Sequence, residues 1–145
     1  TALTFRGTPY MWGGTSPKGV DCSGFVRTVL YLHDIIIPRN ASQQAKVGKR
    51  IQPQDDYSDL QPGDLLFFGS KNQDGSPKRV VHVGISLGGC RFIHSLGYVH
   101  TGSFNPLDAD YDEYERNRFL FAARILPYVN QDTQILTTDN ISLYQ

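Results

Sequence analysis

Val80-Val81-His82-Val83-Gly84-Ile85-Ser86-Leu87-Gly88-Gly89-Cys90-Arg91-Phe92-Ile93-His94-Ser95-Leu96 reads as two strands joined at a glycine pair. The apolar runs on either side are short, β-branched and aromatic, which suits pleated, buried strands. Gly88-Gly89 supplies the left-handed backbone that a tight hairpin needs. Each strand carries one histidine, so register decides whether the two can meet. A two-residue Gly88-Gly89 turn pairs Leu87 with Cys90 and His82 with Ser95, leaving His94 on the opposite face. A three-residue loop, Leu87-Gly88-Gly89, pairs Ser86 with Cys90 and sets His82 directly across from His94. Two histidines on one face therefore need an even register sum or a bulge.

Outward from this hairpin the strand signals continue. Asp64-Leu65-Leu66-Phe67-Phe68-Gly69 follows the Pro62-Gly63 turn as a short buried strand, and Lys71 to Lys78 is a polar loop. Tyr98 to Phe104 fits a further strand, Tyr111 to Asn117 a helical turn, and Phe119 to Leu126 the last strong strand. The one well-formed apolar helix lies earlier. Cys22, Phe25, Val26, Val29, Leu30 and Leu32 share one side of a helix, and Asp21 is placed to cap it. Asn40 to Ala45 reads as a short capped helix after Pro38. Helices first and meandering strands afterwards give an α+β fold with an antiparallel sheet. Thr8 to Gly14 is a loop, and Asn130 to Gln145 reads as a surface strand or tail.

The chain has 145 residues, room for one core, with 14 Lys+Arg against 14 Asp+Glu. A net charge of zero argues against an electrostatic grip on nucleic acid or on anionic membrane. No apolar run approaches the roughly 18 residues of a membrane span. Two cysteines are too few for a disulfide scaffold, although one Cys22–Cys90 bridge is left open by the sequence. Thr1 is not a methionine and no signal-peptide pattern follows it, which suggests a processed protein or an excised domain with something upstream.

Cys22 opens the one well-formed apolar helix, where unpaired N–H groups and the helix dipole favour a thiolate and lower the thiol pKa. A lone cysteine on an apolar face is more often core packing. The glycine-rich approach before it and the small Ser23 and Gly24 after it point instead to an approachable sulfur. A cysteine nucleophile needs a base, and the base an orienting partner. His82 and His94 are the candidates if their register allows. His33 falls at the helix end, where a cation complements the dipole, and His100 is expected on the surface without a partner. No Cys-x2-Cys or His-x3-His spacing supports a metal site, so neither metal nor other cofactor is expected.

Five segments in order resemble the NlpC/P60 cell-wall cysteine peptidases, which have a papain-like core. They are Pro9-Tyr10-Met11-Trp12-Gly13-Gly14, Asp21-Cys22-Ser23-Gly24-Phe25-Val26, Gly63-Asp64-Leu65-Leu66-Phe67-Phe68, His82-Val83-Gly84-Ile85 and Phe92-Ile93-His94-Ser95. Within the family, Pro38-Arg39-Asn40-Ala41-Ser42-Gln43 resembles the branch that cleaves γ-D-glutamyl-diamino acid bonds of murein peptides. The resemblance implies a catalytic domain over residues 1–130, with 131–145 as a tail or edge segment and SH3-like domains upstream. It implies Cys22 as nucleophile, His82 as general base and His94 as its orienter. Tyr10 would face the active site, and Asp21 and Ser23 would bind the free amine of an N-terminal L-Ala. Asp21 should also raise the Cys22 pKa, against the helix dipole, and the Cys22–His82 pair should titrate as one unit. The expected substrate is a murein-derived peptide. The expected location is the bacterial envelope, periplasmic or secreted, with cytoplasmic peptide recycling as the other setting. The alternatives are a Cys-His acyl hydrolase or acyltransferase on the same scaffold, or a catalytically silent wall-binding module.

Overall fold

The structure, a computed structural model, describes residues 2–8, 14–16, 19–130 and 135–137. A 3-10 turn at Ala2–Phe5 is followed by a small antiparallel pair, β1 (Thr15–Ser16) with β2 (Gly19–Val20). Helix α1 (Cys22–Tyr31) comes next, then β3 (Ile35–Ile36) and the short α2 (Ala41–Gln44). The main strands are β4 (Lys49–Ile51), β5 (Leu65–Lys71), β6 (Pro77–Gly88), β7 (Arg91–Leu96) and β8 (Tyr98–Ser103). Helix α3 (Glu113–Arg118), β9 (Phe119–Arg124), a 3-10 turn at Leu126–Tyr128 and β10 (Leu136–Thr137) complete the order. No helix among the described residues is long and apolar enough to cross a membrane.

Six strands form one antiparallel sheet in the order β4-β9-β5-β6-β7-β8. The β5-to-β8 run is a meander, and β9 returns to insert between β4 and β5. Alternation along the strands divides the core into two layers. On one face Leu65, Phe67, Val83, Ile85, Ile93, Phe121 and Ala123 pack under Phe25, Val26, Val29 and Leu30 of α1. On the other, Leu66, Phe68, Phe92, Phe104, Phe119 and Ala122 pack with Leu60. Asp64 is pinned at the start of β5 by Arg124, whose Nε and Nη2 donate to its two oxygens at 3.1 and 2.9 Å.

Several expectations change in detail. The expected loop at Lys71 to Lys78 shortens to a turn, because both strands extend to pair Lys71 with Pro77. Leu32 lies beyond the helix as its C-cap and is exposed, since the apolar stripe ends with Leu30. His33 is likewise past the last helical residue and exposed. At the C-terminal end Leu136–Thr137 pair as a short strand with Ile36 and Ile35, and Ile135 beside them is fully buried where a surface position was expected.

Candidate active site

The first turn of α1 is shaped by Asp21 and Gly24. Asp21 accepts from the Gly24 N–H at 2.6 Å and so caps the helix as expected. A β-carbon at Gly24 would run into the Gly14 carbonyl and the Asp21 carboxylate, so only glycine lets the incoming loop cross this turn. Asp21 has a second partner that sequence reading missed. Arg39 Nη2 donates to Asp21 Oδ2 at 2.8 Å, while its Nη1 donates to Asp21 Oδ1 at 3.1 Å and to Ser23 Oγ at 2.9 Å. The buried Gln44 amide donates to the Ser23 and Pro38 carbonyls at 3.2 and 2.8 Å, and so holds the Arg39 segment against α1. Asp21 and Ser23, expected to bind a substrate amine, are thus already engaged by a cation.

Cys22 packs at the edge of the α1 layer, and His82 belongs to the opposite face, where it is the sheet partner of Phe68. They meet at a pocket of about 310 Å³ lined by Cys22, Val81, His82, Leu96, Gly97 and Arg118. His82 Nε2 is 2.7 Å from His94 Nδ1, and the two rings sit edge-on with centroids 5.0 Å apart. Both are buried, at 4 and 0% exposure. The register that brings them together differs from the expected one. Gly84, rather than His82, lies opposite His94, and a bulge between Ser86 and Gly88 moves the turn to Gly89 and Cys90. Gly88 and Gly89 adopt φ of 104° and 58°, which permits that shift. His82 and His94 are therefore diagonal neighbours across a residue without a side chain.

Burial governs the electrostatics. It pushes the His82 pKa down to about 3, with help from Arg118 and His100. His94 is lowered in the same way, by burial first and then by His82, His100 and Arg118. The Cys22 thiol is pushed up, mainly by burial and further by Asp21, while backbone hydrogen bonding from Val83 opposes the rise. The expected low thiol pKa at the helix N-terminus is thus overturned, because desolvation outweighs the backbone donors. Burial favours the neutral form of both the thiol and the imidazole.

A family model described as the NlpC/P60 family matches residues 7–119. The chain belongs to the NlpC/P60 family. A gamma-D-glutamyl-L-lysine dipeptidyl-peptidase from Bacillus subtilis is 43% identical over 95 residues, covering 66% of this chain and 30% of that protein. The crystal structure of an NlpC/P60 family protein from Bacillus cereus superposes with a TM-score of 0.71 at 32% identity, covering 87% of this chain and 38% of that one. The NlpC/p60 domain of the peptidoglycan hydrolase SagA gives a TM-score of 0.65 at 34% identity, covering 86% and 92%. The chain therefore spans under a third of the B. subtilis relative but nearly all of an isolated family domain.

Around this NlpC/P60 core lie residues that sequence reading left without a role. Glu115 is fully buried, with Oε2 3.7 Å from His82 Nε2. Asp112 Oδ2 is 3.9 Å from His94 Nε2, which has no hydrogen-bond partner among the described residues. His100, expected as an isolated surface residue, is the strand partner of His94, with ring centroids 4.6 Å apart. Glu115 sits on α3 and Asp112 caps it, at the helical turn expected from the sequence, but only the fold carries α3 over this face of the sheet. Tyr10 lies outside the described residues. His82, His94 and Glu115 bring potential ligand atoms within 4.8 Å of one another, the group among the described residues that could hold a metal ion. Two nitrogens on one tetrahedral zinc are about 3.3 Å apart. The 2.7 Å histidine contact would have to open before both could bind.

Proposed function

We propose that this chain is a cysteine peptidase that hydrolyses the γ-D-glutamyl-diamino acid bond of murein peptides, preferring those with a free N-terminal L-Ala. The observation that carries the reading is the pocket shared by Cys22 and His82, with His82 tied through Nε2 to a buried His94. That contact commits Nε2, so Nδ1 of His82 is the atom that takes the thiol proton. His94 then accepts from His82 Nε2–H, which fixes its own proton on Nε2, toward Asp112.

Chemistry follows from this tautomer. Cys22 gives its proton to His82 as the sulfur attacks the γ-carbonyl carbon. Collapse of the tetrahedral adduct breaks the C–N bond, and His82 returns the proton to the leaving amine. Water, deprotonated by His82, then cleaves the thioester and releases the glutamyl carboxylate. Partial positive charge from the N–H groups at the start of α1 supports an oxyanion there. The name of the B. subtilis relative supports the bond choice, and a murein substrate supports a place in the bacterial envelope. Mass spectrometry of defined muropeptides after incubation with the enzyme tests the reading. It expects one new carboxyl terminus at D-glutamate, and cleavage only at another bond would overturn it.

A further inference from the structure

Glu115 is completely buried, and the peptidase chemistry above makes no use of it. Arg118 Nε and Nη2 both donate to its Oε1, at 3.0 and 2.5 Å. Its Oε2 has no hydrogen-bond partner among the described residues and lies 3.7 Å from His82 Nε2. Its backbone is tied down as well: Asp112 caps α3 by accepting from the Glu115 N–H at 3.0 Å. A half-satisfied carboxylate in a core costs stability that a neutral side chain of the same size would not. Burial works to protonate Glu115, and the Arg118 cation works to keep it ionised.

We propose that Glu115 is a positioning residue for His82, its Oε2 supplying the negative charge that stabilises the imidazolium formed when His82 takes the Cys22 proton. The proposal rests on the peptidase reading only for the identity of the base. The proton that leaves Sγ goes to His82 Nδ1, and none reaches Glu115. The ring's new positive charge extends to Nε2, which is 2.7 Å from His94 Nδ1 and 3.7 Å from Glu115 Oε2. Glu115 therefore acts without displacing the His82–His94 hydrogen bond. Without it, the cation would form in a buried site where Arg118 and His100 both oppose positive charge.

Alkylation of Cys22 by iodoacetamide reads the same proton transfer and needs no peptide. It is followed from pH 5 to 9 in a Cys90→Ser background. The charged or titratable groups facing the pair are His82, His94 and His100 from the sheet, Asp112, Glu115 and Arg118 from α3, and Asp21 beside Cys22. Glu115→Gln keeps the shape and removes the charge. It is expected to slow alkylation at neutral pH by about tenfold, the equivalent of one pKa unit. The same variant should lower kcat on a cleaved peptide by a similar factor with KM little changed, and Glu115→Asp should recover part of the rate. In a His82→Asn background the Gln substitution should have no further effect. Wild-type alkylation in Glu115→Gln, or equal slowing in the His82→Asn background, would overturn the proposal. If Glu115→Gln does not fold, Glu115→Asp decides: a retracted carboxylate that alkylates at the wild-type rate overturns it equally. A wild-type enzyme that cleaves no muropeptide while Glu115→Gln still slows alkylation would remove the peptidase reading and leave the role of Glu115 standing.

Discussion

Gly84 stands directly across the sheet from His94, and its missing side chain is the space through which His94 reaches His82. A β-carbon there would sit 3.2 Å from His94 Cβ and 3.1 Å from the Ile93 carbonyl. Both contacts are tighter than ordinary packing, and neither neighbour is a flexible side-chain end. Gly84→Ala should displace the His94 ring and loosen the histidine pair. Turnover is expected to fall about ten- to hundredfold, the usual penalty for a small misplacement of a catalytic group. His94→Asn, which can offer an amide oxygen to His82 Nε2–H, should retain more activity than His94→Ala. Kinetics of the three variants on one muropeptide check this ordering.

Cys22→Ala is expected to abolish hydrolysis while changing stability by less than about 1 kcal/mol, because the side chain is small and only partly buried. Burial raises the thiol pKa of both Cys22 and Cys90, so fast labelling of Cys22 calls for a neighbouring base to take its proton. Peptide mapping after brief alkylation should therefore label Cys22 ahead of Cys90 in wild type, and the order should collapse in His82→Ala. A chelator should leave activity intact. Loss of activity restored by zinc would move the interpretation to a metal held by His82, His94 and Glu115.

Stability should fall as pH drops below the ordinary histidine range. His82 and His94 are held neutral in the folded chain but charge freely near pH 6.5 when unfolded. The unfolded state thus binds more protons between pH 6.5 and the lowered folded-state values, and stability is lost through that window. Two such groups predict a loss of about 2–4 kcal/mol between pH 7 and 5. Glu115, with its pKa raised by burial, binds its proton more readily when folded and opposes the trend at the acid end. Urea unfolding at pH 7 and 5 measures the sum, and His94→Asn should reduce it by about half. A flat profile would contradict two buried neutral imidazoles.

The strands and the capped α1 were legible because they rest on local patterns, apolar runs and an N-cap aspartate. The glycine turn left two registers open, and only the family resemblance implied that His82 and His94 meet. The exact register was not legible. Whether Leu87 enters the turn or forms a bulge depends on packing of both sheet faces, which two glycines leave free. Arg39, Glu115 and His100 escaped for a different reason. Each reaches the site from a separate element, and nothing in the spacing of Arg39 from Asp21, or of Glu115 from His82, signals the contact. The Cys22 thiol was misjudged because helix-end electrostatics can be read in sequence, whereas depth of burial cannot.

Arg39 changes what Asp21 can contribute to substrate choice. Were the Asp21 carboxylate unpaired, an N-acetylated peptide would leave a buried charge alone and lose rate by more than about a hundredfold. Arg39 instead already holds both oxygens, at 2.8 and 3.1 Å. On the proposed reading a substrate ammonium would join an existing pair, and its loss would remove one charge-assisted contact without stranding the carboxylate. Discrimination through Asp21 should then be about tenfold, the lower end of the worth of one charge-assisted hydrogen bond. Arg39→Met makes the ammonium the natural counter-ion of Asp21. It should destabilise the protein by about 2 kcal/mol, less than for a fully buried pair because Arg39 is 29% exposed, and should raise the preference for the free amine toward a hundredfold. Asp21→Asn should erase the preference in either background. The measurement is kcat/KM for L-Ala-γ-D-Glu-diamino acid against its N-acetyl derivative in all four proteins. Equal rates on both peptides in Arg39→Met would remove Asp21 from amine recognition altogether.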